Sequence, residues 1–106
     1  VLLVSCGYKH FPRTVVYNRH WMHDVGAANI SIALQAASMG MQLHQMAGFD
    51  VEACARLLGL DTEKIEPVMM TLGYPGPADR LAEPFRTRET LPRERKEVKS
   101  FVHKLE

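Results

Sequence analysis

Cysteine is scarce in this chain, and the little there is has no useful spacing. Only Cys6 and Cys54 occur in 106 residues, too few and too far apart for a disulfide framework, a C-x-x-C redox pair or a cysteine zinc site. Both are expected to be buried thiols in a reducing, cytoplasmic setting. No apolar run reaches the ~20 residues that a membrane-spanning helix needs, and Val1-Leu2-Leu3-Val4 carries no charged leader. These residues give no reason to expect a membrane. An excess of one charge is missing too, since 13 Lys and Arg stand against 12 Asp and Glu, which removes the electrostatic footprint of a nucleic-acid binder. At 46% hydrophobic and 24% charged, the composition excludes disorder and fits one globular core.

What is present is regular punctuation by Gly, Pro and Asp between apolar runs. Val1 to Cys6, closed by Gly7, has the pattern of a strand buried on both faces inside a sheet. Residues 8 to 23, with Pro12, Asn18 and scattered aromatics, read as a long loop. Asp24 suits a helix N-cap and Gly40 the matching C′ position, which predicts about four helical turns between them. Gly26, Ala27, Ala28, Ala33, Ala36 and Ala37 alternate there with Val25, Ile30, Ile32 and Leu34. A helix apolar nearly all round must be covered nearly all round, so a partner helix is expected.

Asp50 caps a second helix, Val51 to Leu58, with Gly59 closing it. Asp61 to Lys64 starts a short turn that Pro67 should end, and Val68 to Leu72 then reads as a strand. Pro92 sits at a plausible first helical position, ahead of Val98, Phe101, Val102 and Leu105 at amphipathic spacing. Arg93, Arg95, Lys96 and Lys99, mixed with Glu94 and Glu97, would form the solvated face of that helix. The order of elements indicates an α+β protein, with a mixed sheet of α/β type and flanking helices. The chain opens without Met inside its first strand, as expected of part of a longer polypeptide.

Two stretches could carry chemistry. By itself Ala47-Gly48 is either ordinary punctuation between helices or a place where a backbone amide meets a flat ligand closely. Arg86-Thr87-Arg88 is either a solvated basic loop or, if extended, a pair of guanidiniums on one side that clasp a phosphate. His20 and His23, with His10 and Cys6 upstream, lack the second tight pair of a zinc site, and a His beside Asp24 is expected to bond locally. Trp21, Phe11 and Tyr17 either stack on a ligand or cover the adjacent helix. Met39, Met41, Met46, Met69 and Met70 are expected to fill the core.

Asp24-Val25-Gly26-Ala27-Ala28, Met46-Ala47-Gly48-Phe49-Asp50, Leu58-Gly59-Leu60 and Gly73-Tyr74-Pro75 follow one another in an order that resembles the C-terminal half of the nitroreductase-like FMN-dependent oxidoreductases. The resemblance implies a nitroreductase-like FMN-binding fold, present here as the C-terminal portion of a single domain over residues 1–106. It implies hydride transfer from NAD(P)H through FMN to a nitro, quinone or related acceptor, in a homodimer with FMN at the interface. By position, Ala47 and Gly48 would face the flavin N5, Gln45 and Met46 would line the ring, and Arg86 and Arg88 would hold the phosphate. Ala47 stands where the family usually carries its first Gly. The family's N-terminal Arg-Ser-Arg and Asn contacts have no counterpart here, so the working enzyme is expected to be longer. Two alternatives are a non-catalytic flavin-binding or interaction fragment, and a dehalogenase or dehydrogenase of the same superfamily.

Overall fold

The computed structural model describes residues 1–104, in two compact units that divide after Pro75. The first unit contains β1 (Leu2–Tyr8), α1 (Trp21–Ser38), β2 (Gln42–Met46), α2 (Val51–Leu58) and β3 (Ile65–Gly73). Its three strands pair antiparallel in the order β1-β3-β2. The expected α+β class is therefore the one that forms. The position of β1 differs from expectation, because it is an edge strand and the face carrying Leu2 and Cys6 is exposed. Its apolar pattern records two faces fit for burial, and this chain covers one. Cys6 is thus an exposed thiol, while Cys54 is buried as expected.

Register and the alternation of strand side chains put Leu3, Ser5 and Gly7 on one face with Val68, Met70, Leu72, Leu43 and Gln45. Helix α1 lies against this face. A Cβ on Gly7 would stand 2.5 Å from Trp21 Cε3 and 2.9 Å from Val25 Cγ2, so glycine is needed there for close approach. Further along, Asn29 Nδ2 donates to Gln45 Oε1 at 3.2 Å, and Met70 and Ala36 are buried between helix and sheet.

The helix begins at Trp21, ahead of the expected cap. Asn18 makes the turn instead: its Oδ1 accepts from the His20 amide at 3.0 Å and its carbonyl from the Trp21 amide at 3.4 Å. Asp24 falls in the first turn, where a carboxylate still suits the helix dipole, with His23 Nδ1 3.2 Å from its Oδ1. The loop before the helix is partly closed by a bridge between His10 and Tyr17, whose rings meet edge to face at 5.6 Å. At the other end Gly40 has φ +73°, and the amides of Gly40 and Met41 reach the carbonyls of Ala37 and Ala36 at 3.1 and 2.9 Å. This is the expected left-handed closure. Helix α2 is also bounded as expected, by Asp50 Oδ1 accepting from the Ala53 amide at 2.8 Å and by Gly59 at φ +65°.

Two strand assignments correct the sequence reading. Gln42–Met46 is a strand, so Ala47-Gly48 joins a strand to a helix rather than a helix to a helix. Pro67 lies inside β3 rather than before it. The ladder explains why that is tolerated. Val1 and Leu72 exchange both hydrogen bonds, at 2.7 and 2.9 Å, so alternate residues down β3 turn their backbone groups toward β2. Pro67 is one of these, and β2 has already stopped at the Met46–Met69 pair. Its missing N–H costs no ladder bond.

The cover expected around α1 is not supplied by the described residues, among which Met22, Ile30 and Leu34 are exposed. In the second unit, a single 3₁₀ turn at Ala78–Arg80 precedes α3 (Phe85–Thr90), and another follows at Val98–Ser100. The amphipathic helix expected from Pro92 does not form over the described residues. Val98, Phe101 and Val102 are exposed there, and without a buried face such spacing does not hold a helix. Leu105, the last residue of that expected stripe, lies outside the described residues. Among the described residues no helix is long and apolar enough to cross a membrane.

Candidate functional site

The turn from Met46 to Asp50 is the most distinctive backbone feature of the first unit. The Phe49 amide donates to the Ala47 carbonyl at 3.1 Å, a γ-turn centred on Gly48 at the end of a strand. Among the described residues, the amides of Ala47 and Gly48 donate to no backbone carbonyl. Strand alternation gives their directions. Continued past Met46, the ladder would turn the Ala47 N–H outward from the sheet edge and the Gly48 N–H toward β3 at Pro67. Both residues are exposed.

Gly48 is not in the left-handed region, and a Cβ built on it would meet nothing within 4 Å. The turn itself therefore does not require glycine. What glycine keeps is open space beside the backbone. Gln45 and Met46 flank the turn on opposite faces of the sheet. Gln45 lies on the α1 face, held by Asn29, so the two side chains do not line one surface.

The basic pair differs more sharply. Arg86-Thr87-Arg88 lies in α3, not in an extended segment, and residues two apart on a helix are about 200° apart around its axis. Arg86 is already engaged, with Nε and Nη2 each 2.7 Å from Glu83 Oε1. The hydroxyl of Thr87 donates to Glu83 Oε2 at 2.8 Å. Hydrogen bonds from Thr87 and then Arg86 hold the Glu83 carboxyl below its ordinary pKa. Arg86 and Arg88 are not a same-side clasp.

Arg93 and Arg95 flank Glu94 in an irregular stretch bounded by extended residues, Leu91 at ψ 143° and Glu97 at ψ 137°. Arg95 Nη1 donates to the Glu94 carbonyl at 2.8 Å. Helical periodicity had assigned both arginines to a solvated helix face. That helix does not form, and they lie in irregular chain instead.

No protein-family model matches the sequence, and no curated protein does. Likeness is found among solved structures. One, described as the oxidoreductase containing FMN, aligns at a TM-score of 0.80 with 19% identity, over 96% of this chain and 52% of its own. Another, from Staphylococcus epidermidis and provisionally designated an NAD(P)H:FMN oxidoreductase, aligns at 0.62 with 17% identity, over 80% of this chain and 35% of its own. The present chain spans about half the length of the first and about a third of the second. At such identities the likeness establishes fold, and this chain has the α+β fold of part of these flavin oxidoreductase structures.

Proposed function

We propose that this chain is part of an FMN-dependent oxidoreductase of nitroreductase type, which takes hydride from NAD(P)H and passes it to a nitro, quinone or related small acceptor. The observation that carries the reading is the exposed turn at Ala47 and Gly48, whose amides donate to no backbone carbonyl among the described residues, with open space where a side chain on Gly48 would stand. It stands beside a fold shared with an FMN-containing crystal structure. These residues fit a flavin ring, because a ring nitrogen that exchanges hydride is best met by a fixed donor approaching without steric cover. When bound, FMN would supply a centre that accepts hydride from one substrate and yields it to the next.

In this reading Gly48 donates its N–H to the ring and Ala47 presents a second donor. The Met46 side chain and the Gln45 amide border the turn from opposite faces. Of the two arginines first considered for the phosphate, Arg88 keeps that proposed role, while Arg86 is committed to Glu83. A second copy of the chain is proposed over the apolar sides of α1, in keeping with Met22, Ile30 and Leu34 lying exposed. Titration of the protein with FMN, followed by quenching of flavin fluorescence, tests the reading. Saturable quenching, and bleaching of the bound flavin by NADH or NADPH, are expected. A protein that binds no FMN would refute it.

A further inference from the structure

The same ladder geometry that makes Pro67 harmless to the sheet gives it a positive role. Pairing of β2 with β3 follows a register in which Gln42 faces Gly73, His44 faces Thr71 and Met46 faces Met69. The bonds between Val1 and Leu72 fix these as the pairs that exchange both hydrogen bonds. The next such pair would be Gly48 with Pro67. Proline has no N–H to give, so the Gly48 carbonyl cannot be satisfied there and the two-bond pair cannot close. The strand ends at Met46, the chain turns through the γ-turn at Gly48, and among the described residues the Gly48 amide is left without a backbone acceptor.

We propose that Pro67 is a positioning residue for the cofactor site: by withholding one N–H, it stops the β2–β3 ladder and keeps the Gly48 amide free to meet the ligand. This inference rests on the reading of Ala47-Gly48 as the ring contact. Pro67 is buried within the central strand β3, so its effect passes through the Gly48 backbone. Any ordinary residue at 67 would restore the donor. With Val, which is β-branched and apolar, the strand gains a register-matched pair and β2 extends by two residues. The Gly48 amide is then consumed inside the sheet.

The test follows the Gly48 amide directly. In the wild-type protein its hydrogen exchange should be fast, while those of Met46 and Thr71, which lie in the ladder, are protected. In Pro67→Val the Gly48 amide should become at least tenfold more protected, and FMN binding should weaken about tenfold, the effect of one hydrogen bond, without a fall in melting temperature. Gly48→Pro removes the same N–H with Pro67 intact and should weaken FMN binding to a similar degree. It keeps the amide's role testable if Pro67→Val does not fold. A wild-type Gly48 amide already as protected as Met46 overturns the inference, and so does Pro67→Val with a protected amide and unchanged FMN affinity. A wild-type protein that binds no FMN overturns the functional reading instead, and leaves the exchange pattern to decide the role of Pro67 in the strand.

Discussion

At the scale of single residues, the structure separates side chains that are held from those that are available. Arg86 is held by Glu83 through two contacts of 2.7 Å, whereas among the described residues the Arg88 guanidinium has no hydrogen bond or ion pair, only its backbone amide bonding the Pro84 carbonyl at 3.1 Å. Arg88→Ala should therefore weaken FMN binding by about 1.5–3 kcal/mol, the worth of a charge-assisted contact, or roughly ten- to a hundredfold. Arg86→Ala should leave the affinity nearly unchanged. Fluorescence titration of the two variants side by side checks this, and equal losses would return Arg86 to the site. Gly48 gives a second prediction. Because its φ is ordinary and a Cβ there meets nothing, Gly48→Ala should shift the melting temperature little, while slowing flavin reduction if the ring lies over the amide. Stopped-flow reduction beside a thermal melt distinguishes the outcomes. A variant that is less stable but reduces flavin at the wild-type rate would move Gly48 out of the site.

At the scale of elements, the best-determined contact is that of α1 with β1. Gly7→Ala would drive a Cβ to 2.5 Å from the Trp21 ring, and relieving it must shift the helix or the indole. A loss of about 1–3 kcal/mol is expected, read by urea denaturation, with no effect if Trp21 can swing away. Helix α3 should be acid-sensitive. The carboxyl of Glu83 has a lowered pKa because Thr87 and Arg86 hydrogen-bond its charged form, so its stabilisation is present above the ordinary carboxylate range and is lost as pH falls through the lowered value. The Thr87 amide resonance should follow that titration, and Glu83→Gln should abolish the dependence.

The caps of α2 and the closure of α1 were legible because each depends on a few adjacent residues, Asp50 with Gly59 and Gly40 with φ +73°. β2 was not legible, since Gln-Leu-His-Gln-Met on an exposed edge lacks the apolar run that marks a buried strand. The start of α1 was missed because Asn18 makes the turn from outside the helix. The end helix was overread because spacing specifies a face but not what buries it. Of the candidate site, the Ala47-Gly48 turn was recognised from neighbouring motifs. The role we propose for Pro67 in freeing the Gly48 amide could not be read from the turn itself, because Pro67 is remote in sequence.

At the scale of the whole molecule, the outer side of α1 is left uncovered by the described residues. Ile30 and Leu34 lie on it, and apolar patches of this kind mark interfaces. If a second copy covers α1, Ile30→Glu with Leu34→Glu should shift the sedimenting species from dimer to monomer. An unchanged species would place the interface elsewhere. The central claim is that this fold holds FMN as a working hydride carrier, and the visible spectrum of the purified protein before and after NAD(P)H tests it most directly. The expected result is the absorption of bound oxidised flavin, bleached on adding the nicotinamide. A colourless protein that takes up no FMN, or a yellow one that neither NADH nor NADPH bleaches, would contradict it.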